Sequence, residues 1–245
     1  MTDARSLSPW VTVITVTYNA GPLLTRTLDN LRRQQYAQME VIVVDGQSAD
    51  GTVGIIRQSG DIVNRWVSEP DGGIYDAMNK GVRMATGEWI VFMNAGDTFA
   101  ADDVLARVFS EEWPTDMADI IYGDVMKDGQ VKTAPDTYRL YHRMLFCHQS
   151  AIVRRSQLTD TPFDTRHRLS ADHKFFITRY RRGARFLHVG LPVADFDTGG
   201  VSNSHRSAGL ADNIRIMAEV MPWSRRIQSI LRLLVPYIVC RLRGK

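Results

Sequence analysis

The stretch SEPDGGIYDAMNKGVRMATGEWIVFMNAGD, residues 68–97, decides how the rest of the chain is read. Pro70 has no amide donor and Gly72 and Gly73 admit positive φ, so residues 68–73 form a turn. Ile74, Ala77, Met78, Val82 and Ala85 then recur at spacings of three and four, which is one face of a helix ending near Thr86, with Gly87 placed as its stop. Trp89 to Met93 is an unbroken apolar run, a strand buried on both faces, and it leads directly into Asn94-Ala95-Gly96-Asp97-Thr98. A carboxylate is thereby delivered to the carboxyl end of a strand. In an open α/β sheet that edge is where ligands bind, so Asp97 is placed for chemistry rather than packing.

The same construction recurs upstream. Trp10 to Val16 reads as a buried first strand that stops at the turn Thr17-Tyr18-Asn19-Ala20-Gly21-Pro22, and Leu23, Leu24, Thr27, Leu28 and Leu31 mark the helix after it. Val41 to Val44 is a second buried strand ending in Asp45, with Ser48 or Asp50 available to cap the next helix. Asp45 sits where a carboxylate accepts hydrogen bonds from a ribose or base edge; its simpler role is that of an Asx turn residue. Residues 62–67 make a third short strand. Alternation of strands and helices over the first hundred residues implies parallel pairing with right-handed crossovers.

The second half is mixed. Val104, Leu105, Val108 and Phe109 form a helical stripe, residues 119–125 a strand, and residues 130–133 its hairpin partner across Lys127-Asp128-Gly129. A helical stretch is expected at 138–145 and a strand with a polar start, Cys147-His148-Gln149-Ser150, at 147–153. Residues 168–182 read as a helix with Asp172 at or near its N-terminus, 184–189 and 192–196 as two late strands, and 199–204 as a flexible loop. Asp172 alternatively serves only as a helix cap. His148 is a candidate diphosphate or acceptor contact, the competing role being a satisfied core histidine. His205 and Arg206 follow the glycine loop and are candidate phosphate contacts or a solvated segment.

Composition sets further bounds. A chain of 245 residues with 44% hydrophobic and 23% charged residues holds one full α/β core. Two cysteines, Cys147 and Cys240, are too few for a disulfide scaffold, and residues 1–10 have no apolar core of a signal peptide, so a cytoplasmic location is expected. After Glu219 there is no acid, while Arg225, Arg226, Arg232, Arg241, Arg243 and Lys245 are basic; without those six the formal charge of +3 becomes −3. The basic balance therefore belongs to a tail, and a nucleic-acid surface is not expected. In that tail Arg225, Ser229, Arg232, Pro236 and Arg243 fall on one helical stripe, with Ile227, Ile230, Leu231, Leu234, Ile238 and Leu242 on the other sides. Its longest apolar run, residues 233–240, is far short of the roughly twenty that span a bilayer. Residues 223–245 are thus expected to lie on a membrane surface, or else to pack on protein.

The segments VTVITVTYNAG, VIVVDGQSADGT, SEPDGGIYDAMNKG, the strand into NAGD, and SADHKFF together resemble the family 2 glycosyltransferases, over about residues 10–202, and in particular bacterial enzymes of surface-polysaccharide assembly of the colanic-acid type. The resemblance implies the GT-A fold, a Rossmann-like mixed sheet flanked by helices, with residues 1–205 as the transferase domain and 206–245 as an amphipathic helical tail. It implies an inverting transfer from a nucleotide-diphosphate sugar to a saccharide acceptor, lipid-linked, with a divalent metal, Mg or Mn. Carried across, Tyr18 and Asp45 contact the nucleotide, Asp97 is the acid of the metal motif and Asp172 the general base. The family pattern has further acids where this chain has Asn94 and Gly96. Two other readings compete: a sugar nucleotidyltransferase, which would carry a glycine-rich basic loop after the first strand where Tyr18-Asn19-Ala20-Gly21-Pro22 has no cation, and a non-catalytic nucleotide-sugar binding protein, which turnover would exclude.

Overall fold

The computed structural model describes residues 10–110, 112–137, 140, 144, 146–196 and 206–242. The first half alternates as expected: β1 (Val11–Thr17), α1 (Gly21–Arg32), β2 (Met39–Asp45), α2 (Thr52–Gln58), β3 (Arg65–Ser68), α3 (Ile74–Met84) and β4 (Trp89–Phe92). Then come β5 (Thr98–Phe99), α4 (Val104–Val108), the hairpin β6 (Ile120–Lys127) and β7 (Gln130–Lys132), β8 (Ala151–Arg154), α5 (Arg155–Asp160), α6 (Ala171–Arg181), β9 (Phe186–Asp195), α7 (Arg206–Val220) and α8 (Trp223–Leu242). One sheet runs in the order β3-β2-β1-β4-β8-β6-β9-β5, with β7 bonded to β6. Its β3-β2-β1-β4 half is parallel, and β8 joins antiparallel to both β4 and β6.

The period of two in each central strand explains why both faces are covered. Val11, Val13, Val41, Val43 and Val91 share one core with Leu24, Leu28 and Leu31 of α1. Their neighbours Ile14, Val16, Ile42, Val44 and Phe92 face Ala77, Met78 and Val82 of α3 and Phe175 and Phe176 of α6. With no polar face to spare, β1 and β2 must be interior.

Several local expectations change on folding. α3 stops at Met84, capped by Ala85 in extended conformation (φ −65°, ψ 138°), so Gly87 is not its stop. Gly87 instead lies against β1, where a Cβ would come within 2.7 Å of the Thr12 amide nitrogen and 2.8 Å of the Trp10 carbonyl oxygen. The third strand begins at Arg65, because the amides of Ile62 and Val63 turn back onto the Ser59 carbonyl. Neither Ser48 nor Asp50 occupies the cap position of α2, which falls to Gly51, although Asp50 Oδ1 accepts from the Thr52 amide at 2.9 Å. The polar start of the strand expected at 147–153 is a single 3₁₀ turn, His148–Ser150, with β8 following it. The two late strands are one, β9, whose register slips on either side of the Asp124–Pro192 pair, leaving Gly190, Leu191 and Val193 as extra residues. Most of the helical stretch expected at 138–145 and the loop expected at 199–204 lie outside the described residues.

The last two helices close over α6. Ile216, Met217 and Met221 cluster with Ile177 of α6 and Leu233 of α8. A partly buried ion network lies along the seam: Lys174 Nζ bonds Asp164 Oδ2 (2.7 Å) and the exposed Glu219 Oε2, and His167 Nδ1 sits 2.7 Å from Asp212 Oδ1. In α8 Ser229, Leu233 and Cys240 face the protein. Ser229 therefore does not belong to an outward polar stripe, as its spacing from the arginines suggested, and Ile230 packs inward as well.

Candidate active site

The site assembles at the carboxyl ends of β1, β2 and β4. Two loops clasp each other there: the Asn19 amide donates to Ser48 Oγ (2.7 Å), and the Ala49 amide donates to Asn19 Oδ1 (2.8 Å). Asn19 and Gln47 hold positive φ, 47° and 64°, unusual for non-glycine residues and typical of loops shaped around a ligand. Asp45 ends β2 fully buried, its carboxylate accepting from the Ser48 amide (2.9 Å), from Ser48 Oγ and from Ser68 Oγ (2.6 Å). Ser48, expected as a cap, thus serves Asp45. Next in chain, a Cβ on Gly46 would meet Asp71 Oδ2 at 2.6 Å and Tyr18 Cδ2 at 3.3 Å, so the β2 end, Tyr18 and Asp71 line one small space. Tyr18 is 65% exposed, an open aromatic face across the Gly46 position from Asp71.

Asp97 is delivered by β4 and pinned at its backbone. Its amide donates to the Asn94 carbonyl (2.9 Å), and Thr27 Oγ1 of α1 donates to its carbonyl (2.8 Å). The side chain is buried and Oδ2 accepts from Gln149 Nε2 at 2.9 Å. Gln149 arrives because β8 runs antiparallel to β4, which brings the 3₁₀ turn before β8 beside the end of β4.

The same turn carries His148 into a line of four side chains. Asn94 Nδ2 lies 3.1 Å from His148 Nε2, and His148 Nδ1 lies 3.1 Å from Asp172 Oδ2. Tyr75 Oη of α3 and the His173 amide both donate to Asp172 Oδ1, each at 2.8 Å. Asp172 occupies the first turn of α6 while Ser170 takes the cap position. Burial pushes the Asp172 carboxyl up, but the hydrogen bonds from His148, Tyr75 and the His173 amide outweigh it and hold the group below the ordinary carboxylate value. Tyr75 is raised well above its usual value by burial and by the Asp172 charge. Cys147 is pushed up to about 11 by burial and then by the negative charges of Asp97 and Asp172.

The fold thus brings Asp97, His148 and Asp172 into one hydrogen-bonded region, with Tyr18 and Asp45 on the neighbouring strand ends. His205 and the Arg206 side chain lie outside the described residues. Asp71, Tyr75 and Gln149 were not singled out from the sequence. Gln149 had a signal, a polar residue opening an apolar run; Tyr75 had none, since the apolar spacing of its helix was read through Ile74, which the structure leaves exposed while it buries Tyr75.

A divalent cation can be tested against these donors. Asp97 presents one carboxylate with one oxygen fixed by Gln149, and Asn94 turns its NH₂ to His148 and leaves Oδ1 buried without a hydrogen-bond partner, so Asp97 is the carboxylate available here. One carboxylate plus a substrate's phosphates is a usual Mg²⁺-type donor set, so the site fits. Among the described residues one group has metal-ligand spacing, Asp164, His167 and Glu219. The Lys174 ammonium already bonds two of its members and lies 3.3 Å from the third, His167 Nε2, so that group is an ion network at the α6–α7 seam.

Comparison with known proteins gives concordant results. The model of the family "Glycosyl transferase family 2" matches residues 12–184. A PGL/p-HBAD biosynthesis glycosyltransferase of Mycobacterium tuberculosis is 35% identical over 211 residues, 80% of each chain. The amylovoran biosynthesis glycosyltransferase AmsB of Erwinia amylovora is 27% identical over 205 residues, 75% of this chain and 68% of that one. Among solved structures, S. aureus TarS 1-349 in complex with UDP-GlcNAc superposes with a TM-score of 0.68 at 17% identity, covering 92% of this chain and 71% of that chain. Mannosyltransferase PcManGT from Pyrobaculum calidifontis in complex with GDP-Man and Mn²⁺ gives 0.69 at 23% identity, covering 97% and 76%. The sheet is that of the GT-A glycosyltransferases.

Proposed function

The chain belongs to glycosyltransferase family 2, and on that premise we propose that it transfers a sugar, with inversion, from a nucleotide-diphosphate sugar to a lipid-linked saccharide acceptor in surface-polysaccharide assembly. The observation that carries this reading is the joining of Asp97 and Asp172 through Gln149, His148 and Asn94, from elements distant in sequence, at one sheet edge. Tyr18 and Asp45 take the nucleoside, the aromatic ring by stacking and the carboxylate through the serines it orders. Asp97 holds the divalent metal, Mg or Mn, which when bound neutralises the diphosphate leaving group. Asp172 acts as general base: its carboxylate accepts the proton of the acceptor hydroxyl as that oxygen bonds the anomeric carbon and the bond to the diphosphate breaks. His205 and Arg206 contact the phosphates from the segment after β9. Residues 1–205 form the transferase domain and 206–245 its appendage. Relatives named for PGL/p-HBAD and amylovoran biosynthesis support the polymer or glycolipid context, and neighbours holding UDP-GlcNAc or GDP-Man support the donor class. Calorimetric titration with UDP-, GDP- and dTDP-sugars and Mn²⁺ tests it: one donor series should bind metal-dependently and be turned over, and absence of binding to all three would overturn it.

The acceptor would be met at the inner face of a membrane. Among the described residues no helix is long and apolar enough to cross one. On α8, however, Ile227, Leu231, Leu234, Val235, Ile238 and Leu242 are exposed on the side about 180° round from Ser229, Leu233 and Cys240. Arg225 and Arg232 flank this stripe on one side and Arg226 and Arg241 on the other. An apolar stripe bordered by arginines suits the interface of an anionic bilayer, each arginine adding about 1 kcal/mol. The variant Ile227→Glu/Leu231→Glu/Ile238→Glu changes only exposed positions. Wild type should float with anionic liposomes at low salt and the variant should not; equal flotation of the two would remove the membrane assignment and leave the catalytic one untouched.

A further inference from the structure

His148 has both ring nitrogens engaged, Nδ1 by Asp172 Oδ2 and Nε2 by the Asn94 amide, each at 3.1 Å. An ionised carboxylate only accepts, so the bond to Asp172 requires a proton on Nδ1. The nitrogen that faces Asn94 then decides the charge of the ring. If the amide NH₂ donates to it, the imidazole is neutral, and Asn94 Oδ1, which is buried, has no hydrogen-bond partner. If residue 94 were an acid, Nε2 would have to carry a second proton, and the ring beside Asp172 would be a cation that holds the carboxylate's charge and blunts its basicity. The other groups around this line are Tyr75, which fixes Asp172 Oδ1, Cys147 and Gln149 on the same turn, and Asp97 beyond Gln149.

We propose that His148 is a positioning residue for Asp172, held by Asn94 as the neutral ring with its proton on Nδ1, so that Tyr75 and His148 together aim the carboxylate at the acceptor hydroxyl. This rests on reading Asp172 as the base. It also gives the asparagine a purpose: an amide can support a neutral histidine where a carboxylate would charge it. His148 thereby acts through Asp172 rather than on the diphosphate.

Long-range ¹H–¹⁵N correlation spectra of the ¹⁵N-labelled protein at mildly alkaline pH test this without any donor, the His148 signals being assigned by their loss in His148→Asn. The expected pattern is a proton on Nδ1 and a bare Nε2, the reverse of the tautomer favoured by free histidine. A proton on Nε2 with Nδ1 bare overturns the proposal. In Asn94→Asp both nitrogens should carry protons at the same pH, and an unchanged pattern would show that residue 94 does not set the ring. Turnover is the second arm, followed as nucleoside diphosphate released from UDP-GlcNAc and GDP-mannose with Mn²⁺. His148→Ala should lower kcat about 10- to 100-fold with little change in donor KM, and His148→Asn, which returns an N–H toward Asp172, should recover part of it. If His148→Ala leaves kcat intact while Asp172→Asn does not, the positioning role falls and the base assignment survives. If Asp172→Asn itself turns over normally, it is the base assignment that falls.

Discussion

Asp172→Asn is expected to lower turnover by about 10²- to 10⁴-fold while leaving nucleotide affinity near that of the wild type. The substitution keeps the shape of the side chain, so Tyr75 Oη and the His173 amide retain an oxygen acceptor, and only basicity is lost. The new amide would face His148 Nδ1 with a donor against a donor, which is relieved when the ring moves its proton to Nε2 and the Asn94 amide turns its unpartnered Oδ1 to accept it. In the wild type the carboxyl is held below its ordinary value because the bonds from His148, Tyr75 and the His173 amide outweigh the effect of burial. The sign follows: the base stays ionised through neutral pH, and turnover should fall only as pH drops into the acid range below the ordinary carboxylate value. Any stability linked to the group is fully present above the unfolded carboxylate pKa and is lost on the same descent. Near-normal turnover of the variant, measured at saturating donor, would end the assignment of Asp172 as base.

Asp97→Ala should remove the metal-dependent part of nucleotide-sugar binding, so that titrations with and without Mn²⁺ become superimposable. Charge stabilisation of a leaving diphosphate by a bound cation is worth several kcal/mol, so turnover with Mn²⁺ should fall by about 10²-fold or more. The backbone anchors of this loop do not use the carboxylate, since Thr27 Oγ1 bonds the Asp97 carbonyl and the Asp97 amide bonds Asn94. Loss of activity should therefore occur without loss of fold, which thermal unfolding monitored by circular dichroism would check. A variant whose nucleotide affinity keeps its full metal dependence would show that the cation is held elsewhere.

The parallel half of the sheet was legible because its signals are local. Runs rich in β-branched and apolar residues at β1, β2 and β4 read as strands covered on both faces, and Asp45 and Asp97 stand at strand ends by simple adjacency in the chain. Asp172 was placed near a helix start for the same reason. The antiparallel half was harder. The 3₁₀ turn at His148–Ser150 looks like the opening of a strand, because Gln149 and Ser150 are as buried as strand residues. They turn there for the sake of Asp97 and the Cys147 carbonyl, partners that no spacing in the sequence announces.

Taken alone, the amino-acid order determined which segments pair as buried strands, which loops carry acids to the carboxyl edge, that the tail is basic and amphipathic, and which family the chain resembles. Periodicity and neighbouring residues suffice for those, since each is a property of a single element. Only the tertiary structure decided that β8 runs antiparallel beside β4, and hence that His148 and Gln149, more than fifty residues beyond Asn94 and Asp97, become their hydrogen-bond partners. It alone decided which side of α8 faces the protein, burying Ser229, Leu233 and Cys240 and leaving the apolar stripe outward. The physical reason is common to both: a helix or strand specifies its own faces, but what each face meets depends on packing between elements, where one crossover sets the partners of every residue along it.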